Sequence, residues 1–199
     1  MELKNKFILD ACCGGRMMWT IKQHPNAIYM DIRKEEKGFI KGAEEYEVKP
    51  DIIGDFTNLP PQLKEMRFKL IVWDIPHFIG KRLTGILTKK FGCWNPETWQ
   101  YDINKGFKEL WGVLEDYGVL ILKFSSFSVS FDKLLKNIPE KPLFYNKVAG
   151  AMNTDKPRET KWFCFMKIPN ANEGGVFTQA PAGVVELPLT SIPSEQKVN

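Results

Sequence analysis

The amino-acid sequence predicts an α/β fold in which a mostly parallel sheet has helices on both faces. Three observations lead to this fold class. Short apolar runs alternate with stretches of helical periodicity along the chain. Several of these runs end at an aspartate. Residues 119–124 are apolar at nearly every position, which is typical of a strand that is covered on both sides.

The first half of the chain is predicted to hold four strands and one helix. Four apolar runs are too short for helices and end at or close to an aspartate: residues 7–9, 27–30, 52–53 and 69–73. Residues 16–23 follow a glycine turn and stop before Pro25. They are predicted to be a helix that ends there, because proline cannot continue one.

The second half is predicted to add two helices and three strands. Asn95 and Pro96 suit a helix N-cap and first helical position. Apolar residues then recur at helical spacing up to Gly118: Trp99, Ile103, Phe107, Leu110, Trp111 and Leu114. Residues 78–95 carry three glycines and no clear period, so a loop or lid is predicted there. The remaining elements are a strand at 119–124, a short helix at 131–137, and closing strands at 143–148 and 162–167.

Length and composition predict one folded domain. The chain has 199 residues and is 43% hydrophobic, which is enough for a single core. Residues 1–168 are predicted to form this domain. Residues 169–199, which are rich in Pro, Gly, Ala and Ser, are predicted to be a loosely ordered tail. No leader-type segment or bilayer-spanning run is found, so we expect a cytoplasmic protein without a membrane partner.

The net charge of +4 is mildly basic and unevenly distributed. Acidic residues prevail between positions 31 and 55, and basic residues prevail over 64–90 and 133–167. One interpretation is ordinary solvated surface; the other is an acidic cofactor side and a basic side for a phosphate-bearing substrate. The four cysteines form no CxxC pair and there are only two histidines, so no metal site is predicted.

One aspartate follows each of the first four predicted strands: Asp10, Asp31, Asp55 and Asp74. Ligands of open α/β sheets bind beyond the carboxyl ends of the strands. A single aspartate there is most often a cap or turn residue, but four in successive strands favour a ligand site. Asp31 follows the glycine turn at the distance typical of an acid that binds ribose hydroxyls. The turn lacks the glycines of a dinucleotide or P-loop motif, which favours a compact nucleoside ligand.

Five segments resemble, in one order from about residue 7 to 168, small class I methyltransferases encoded by phages and prophages. They are Asp10–Trp19, Asp31–Arg33, Lys49–Phe56, Asp74–His77 and Lys161–Lys167. The resemblance implies a Rossmann-like sheet of about seven strands with an antiparallel last strand, and S-adenosylmethionine as the cofactor. It also implies a role for each cofactor-binding residue: Asp10, Cys12 and Gly14 at the methionine end, Asp31 at the ribose, and Asp55 and Phe56 at the adenine.

The segment Asp74–His77 resembles the D-P-P-Y or D-P-P-H signature of methyltransferases that act on exocyclic amines. In that chemistry a carboxylate and a backbone carbonyl accept hydrogen bonds from the amine and align its nitrogen with the methyl group. An aromatic ring of the signature can stack on a base that has left its helix. The resemblance implies Asp74, Pro76 and His77 as catalytic residues and DNA as the favoured partner. Ile75 replaces the first proline, and His77 stands where an aromatic often sits.

Several alternatives stay open at this point. The acceptor belongs to DNA, to RNA, to a protein or to a small molecule, and Ile75 leaves a catalytically inactive cofactor-binding module as a further possibility. Target specificity has to come from loops, mainly 78–95 and 150–160, or from a partner. Arg16 lies either near the cofactor carboxylate or on the surface, Lys123 either faces the site or snorkels, and Trp94 either packs or stacks on a base.

Overall fold

The computed structural model describes residues 5–80, 85–146 and 159–169. Their strands are β1 (Ile8–Asp10), β2 (Ala27–Asp31), β3 (Ile52–Ile53), β4 (Phe68–Asp74), β5 (Leu114–Ser125), β6 (Phe144–Tyr145) and β7 (Thr160–Met166). Their helices are α1 (Pro61–Lys64), α2 (Ile86–Phe91), α3 (Trp99–Val113) and α4 (Phe131–Leu135).

The strands form one seven-stranded sheet in the order β3-β2-β1-β4-β5-β7-β6. The first five strands run parallel to their neighbours, whereas β7 is antiparallel to both β5 and β6. Strand order reverses between β1 and β4, and this switch point opens a crevice at the carboxyl ends of the two strands. The predicted fold class, a mostly parallel seven-stranded sheet with an antiparallel last strand, is confirmed.

The main core lies between the sheet and helix α3. The apolar stripe predicted from helical spacing is buried there, with Ile103, Phe107 and Leu110 nearly inaccessible to solvent. Phe107 meets Phe165 of β7 edge-on, with ring centroids 5.3 Å apart. Helices α1 and α4 contribute Leu63 and Leu134 to the same cluster. The core therefore packs one face of the sheet against α3 and leaves the carboxyl ends of the strands available for a binding site.

The segment 16–23, predicted to be a helix, consists of turns and bends instead. Arg16 has a left-handed backbone with φ of 53°. Its guanidinium donates to the carbonyls of Lys22 at 2.8 Å and Lys49 at 2.6 Å, and lies 3.8 Å from the ring centroid of Tyr29. These tertiary contacts replace the hydrogen bonds of a helix, so the prediction of a helix was wrong. They also turn Arg16 away from the crevice and give it a structural role.

The predicted boundaries also change around the lid and the long helix. Helix α3 ends at Val113, and Leu114 already has an extended backbone and begins β5. Residues 78–95 were predicted to be a loop, but they contain α2 and a bridge between Ile79 and Trp94. Helix α2 has only six residues and buries none of them, so it is too short for a helical period to be recognised in the sequence.

Some predictions fall outside the described residues. These include nearly all of the tail, part of the strand predicted at 143–148, and most of the loop 150–160. The domain boundary at 168 therefore stays a prediction. Within the described ranges, no helix is long and apolar enough to cross a membrane. The same ranges hold no group of three or more side chains placed to bind a metal ion.

Candidate active site

Two adjoining cavities open at the carboxyl ends of β1, β2 and β4. The larger has a volume of about 300 Å³, and its walls include Cys12, Asp31, Asp55, Phe56 and Pro76. The smaller has a volume of about 40 Å³, and its walls include Cys12, Gly14, Asp31, Asp74 and His77. The fold thus brings eight of the nine predicted site residues to one crevice. The ninth, Asp10, lines neither of these two cavities.

Asp10 lies beneath the crevice, buried at the end of β1. Its carboxylate accepts hydrogen bonds from Trp19 Nε1 at 2.7 Å and from the backbone N–H of Cys12 at 3.3 Å. Burial raises the pKa of Asp10 from 3.8 to about 7, and the Trp19 hydrogen bond opposes this shift. Asp10 therefore supports the glycine turn at the crevice and does not itself line either cavity.

The glycine turn is held by side chains from two other segments. Gly14, with φ of 47°, donates its N–H to Asp31 Oδ2 at 2.9 Å. Gly15 donates to the hydroxyl of Tyr46 at 3.0 Å, and that hydroxyl donates to the carbonyl of Lys90 at 2.9 Å. A Cβ on Gly15 would lie 2.5 Å from the Tyr46 ring. The need for glycine at position 15 thus comes from Tyr46 rather than from a ligand.

Asp31 is buried and links the turn to helix α2. Its Oδ1 accepts from the backbone N–H of Arg33 at 3.0 Å and lies 3.4 Å from Arg33 Nε. The guanidinium of Arg33 also donates to the carbonyls of Lys89 at 2.7 Å and Lys90 at 3.1 Å, at the C-terminal end of α2. Arg33 therefore attaches α2 to the rim of the crevice.

The far end of the larger cavity combines an acid with apolar walls. Asp55 Oδ1 accepts from both the N–H and the hydroxyl of Thr57, at 2.7 and 2.8 Å. Phe56 packs edge-on against Trp73 and Trp94, with ring centroids 5.5 and 5.8 Å apart. Ile32 lines the same cavity and is 63% exposed. An exposed aliphatic side chain beside a carboxylate and an aromatic ring suits the binding of a flat heterocyclic ligand.

Asp74 ends β4 and is partnered by charged or polar side chains. Its Oδ2 lies 2.8 Å from Lys123 Nζ of β5, and its Oδ1 lies 3.7 Å from His77 Nε2. The side chain is still 23% exposed, so a ligand is able to reach it. The structure thus places Lys123 at the site, which the sequence had left undecided.

His77 is held by its surroundings in the neutral form. Its Nδ1 accepts a hydrogen bond from the backbone N–H of Ser125 at 3.3 Å, and its ring meets Phe124 edge-on with centroids 5.6 Å apart. Burial lowers the pKa of His77, while the charge of Asp74 acts against this shift. The ring therefore directs Nε2 toward Asp74.

The turn after Asp74 is braced by Trp94. Trp94 is buried and donates its Nε1–H to the carbonyl of Pro76 at 2.7 Å, and it also lines the larger cavity. The Pro76 carbonyl is therefore already engaged. Ile75 is buried in the main core, so the residue that replaces the first proline of the signature is held by packing. No described residue donates a hydrogen bond to the Ile75 carbonyl.

Several residues that line the crevice were not predicted as site residues, among them Ile32, Arg33 and Tyr46. Ile32 and Arg33 directly follow Asp31 in the sequence, so their position next to a predicted site residue could have indicated that they lie at the crevice. Tyr46 carried no such signal, because its role depends on contacts with Gly15 and Lys90, each more than thirty residues away.

Comparison with solved structures identifies the fold. No family model matches the chain, and no curated protein matches its sequence. The N-methyltransferase NodS from Bradyrhizobium japonicum WM9 is similar with a TM-score of 0.50 and 11% identity, over 82% of this chain and 86% of that one. A TehB-like SAM-dependent methyltransferase from Corynebacterium glutamicum is similar with a TM-score of 0.47 and 14% identity, over 82% and 80%. At such identities the likeness to NodS shows the fold, a Rossmann-like fold shared with methyltransferases.

Proposed function

We propose that this protein is an S-adenosylmethionine-dependent methyltransferase that acts on an exocyclic amino group of a nucleobase in DNA. One observation carries the proposal. The crevice at the switch point joins acids from the ends of β2 and β4 and from the turn after β3, in a sheet whose fold is shared with methyltransferases. A cofactor cavity and an acceptor edge therefore adjoin each other.

The residues of the crevice fit the chemistry of the cofactor. S-adenosylmethionine carries a sulfonium cation, and its surroundings here are acidic. Burial, reinforced by the carboxylates of Asp31, Asp74 and Asp10, raises the pKa of the Cys12 thiol well above its usual range. Cys12 is thus a neutral thiol within a negative field, which favours a bound cation.

Each part of the nucleoside has a matching partner in the larger cavity. A carboxylate has about four lone-pair sites, so Asp31 is able to accept ribose hydroxyls in addition to its protein partners. Ile32 and Phe56 offer apolar walls to the adenine, and Asp55 accepts from its amino group. Cys12 and Gly14 then lie toward the methionine end.

At the acceptor edge, the chain's own residues hold and align the amine. Asp74 Oδ1 and the Ile75 carbonyl accept its two hydrogens, and Pro76 shapes the turn without offering its engaged carbonyl. When bound, the cofactor supplies an electrophilic methyl group. The nitrogen gains positive charge as it takes the methyl, the Asp74 carboxylate stabilises that charge, and the nitrogen then loses one proton to solvent. His77 lies beside this carboxylate, with its Nε2 3.7 Å from Asp74 Oδ1.

The acceptor assignment rests on the amine-type segment and on the resemblance to phage and prophage enzymes. One contact favours a second candidate, a cofactor-binding module without activity. Lys123 occupies Asp74 Oδ2 at 2.8 Å, so an amine has only the other oxygen available. Ile75 does not favour this candidate, because its burial holds the turn in place.

The test begins with calorimetry of S-adenosylhomocysteine binding to the full chain. Tritiated S-adenosylmethionine is then incubated with DNA, RNA, a protein mixture and a metabolite pool. We expect binding, and label in DNA. Absence of binding would contradict the cofactor assignment, label elsewhere would correct the acceptor, and binding without any label would support the inactive module.

A matched pair of variants checks the cofactor half. Asp31→Asn should weaken S-adenosylhomocysteine binding about tenfold or more, because hydrogen bonds to a charged group contribute about 1.5–3 kcal/mol. Asp116→Asn changes the same charge at an exposed position of β5 and should leave affinity unchanged. Equal effects of the two variants would point to net charge rather than to ribose recognition.

A further inference from the structure

Three residues lie in one row across the sheet at the acceptor edge. In the strand register, Asp74 of β4 is paired with Lys123 of β5, and Lys123 is paired with Trp162 of β7. Lys123 Nζ lies 2.8 Å from Asp74 Oδ2 and 5.6 Å from the centroid of the Trp162 ring. The lysine thus joins the proposed catalytic acid to an aromatic ring.

This row lies on the face of the sheet away from α3. Its strand neighbours Trp73, Leu122 and Phe163 belong to the main core, and side chains alternate between faces along a strand. Trp162 is 36% exposed, and the side chains of Asp74 and Lys123 are 23% and 24% exposed. A ligand at the end of β4 therefore has access to all three side chains.

Residue 77, which stands where the D-P-P-Y signature carries its aromatic ring, does not offer a stacking surface. His77 stands there, but Phe124 meets its ring edge-on and Ser125 engages its Nδ1. Both contacts fix the imidazole within the turn. A base that presents its amine to Asp74 needs a flat partner from another part of the chain, and Trp162 is the exposed aromatic residue in the same row.

We propose that Trp162 is the platform on which the acceptor ring stacks and that Lys123 donates a hydrogen bond to a ring nitrogen beside the methylated amine. This rests on the proposed function, which it deepens by naming how the acceptor is selected. Lys123 only donates and Asp74 only accepts. Together they match an amine next to a ring nitrogen, as in adenine and cytosine. They disfavour thymine or uracil, whose carbonyl oxygen would face the Asp74 carboxylate.

A matched control is available on the neighbouring strand. Phe144 of β6 is paired with Cys164 of β7, so it lies on the same face as Trp162, and it is 64% exposed. It is one strand farther from Asp74 and lies outside the row. Phe144→Ala therefore removes an exposed aromatic ring of the same face without touching the acceptor edge.

The experiment measures the affinity of the full chain, loaded with S-adenosylhomocysteine, for short fluorescein-labelled single-stranded DNA of mixed sequence, and KM for methyl transfer to it. Trp162→Ala should raise both the Kd and KM roughly ten- to a hundredfold, as expected for loss of one stacked base. Trp162→Phe should restore most of the affinity, and Phe144→Ala should change neither. Calorimetric binding of S-adenosylhomocysteine should be unchanged in all three, which shows that they are folded.

The role of Lys123 is tested by base preference. Wild-type protein should bind oligonucleotides of adenine or cytosine more tightly than those of thymine, and Lys123→Met should lose this preference. An unchanged Kd in Trp162→Ala, an equal loss in Phe144→Ala, or a retained preference in Lys123→Met would overturn the inference.

Failure of the proposed function gives different results. It would appear as absence of S-adenosylhomocysteine binding by the wild-type chain. Cofactor binding without any DNA binding would overturn the nucleobase platform and leave the cofactor site standing.

Discussion

The two halves of the crevice are built in different ways. In the half proposed for the cofactor, the carboxyl groups of Asp10 and Asp31 are buried, and both accept hydrogen bonds from backbone N–H groups as well as from side chains. In the half proposed for the acceptor, Asp74 is partly exposed, and its hydrogen-bond partner is the side chain of Lys123. Backbone donors thus help to fix the buried acids of the first half, whereas Asp74 in the second half depends on a side-chain contact that a ligand is able to exchange.

This difference has a consequence for catalysis. A binding site that is already ordered loses little conformational entropy when the cofactor binds, so changes in this half should alter the affinity for the cofactor. A partly exposed ion pair contributes little to the free energy of folding, so Asp74 and Lys123 are able to exchange their mutual contact for contacts with the acceptor. Changes in the first half should therefore affect binding and stability, and changes in the second half should affect turnover.

The largest effect is expected from Asp74→Ala. Methyl transfer should fall at least a hundredfold, in the range seen when a group that stabilises transition-state charge is removed. The affinity for S-adenosylhomocysteine, which lacks the sulfonium charge, should be unchanged, and the free energy of unfolding should shift by about 1 kcal/mol or less because the ion pair is partly exposed. Single-turnover transfer to DNA and calorimetry measure the two quantities. A parallel loss of cofactor affinity would show that the two halves are not separate.

Next in size is a pH-dependent effect of Asp10→Asn. Burial raises the pKa of Asp10 from 3.8 to about 7, so the folded state favours the protonated carboxyl. The stability contributed by the neutral form is fully present below about pH 4 and is lost as the pH rises toward about 7. Asparagine keeps an oxygen for Trp19 Nε1 and carries no charge.

We therefore expect the unfolding free energy of the wild type, relative to Asp10→Asn, to fall by about 1 kcal/mol per pH unit between about pH 5 and 7. Urea unfolding at a series of pH values measures this difference. Asp116→Asn, which changes an exposed acid, should show no such trend. A difference that stays constant with pH would mean that Asp10 is ionised throughout.

The smallest effect is expected from Ile32→Ser. Ile32 lines the larger cavity and is 63% exposed, so its replacement should weaken S-adenosylhomocysteine binding about five- to tenfold with little change in stability. Ile53→Ser is the matched control, because Ile53 is 60% exposed and lies outside that cavity. Calorimetry of both variants decides whether the cavity wall or general surface hydrophobicity matters.

Much of the fold was predictable because its signals are local. The strand-end aspartates, the helical stripe of α3 and the apolar run of β5 each depend on a few neighbouring residues. The helix predicted at 16–23 was wrong because Arg16 bonds to Lys49 and stacks on Tyr29, contacts that no local pattern encodes. Helix α2 was missed because its six residues are too few to show a helical period, and none of them is buried.

In the candidate site, too, features with a local sequence signal were predictable and contacts between distant residues were not. Asp31 and Asp74 were found as strand ends, and their shared crevice followed from the rule for parallel sheets. The pairing of Asp74 with Lys123 was not predictable, because it joins residues 49 positions apart through the register of β4 and β5. The place of Trp162 beside them depends in turn on the antiparallel pairing of β7 with β5.

The sequence by itself thus determined the fold class and predicted the strand-end aspartates as site residues, because strand periodicity and strand-end acids are local properties of the chain. The roles of Cys12, Gly14 and Phe56 were implied only by the family resemblance. Only the tertiary structure decided which side chains meet at the acceptor edge. Register between strands is set by packing of the whole sheet against α3, and it brings Asp74, Lys123 and Trp162 into one row.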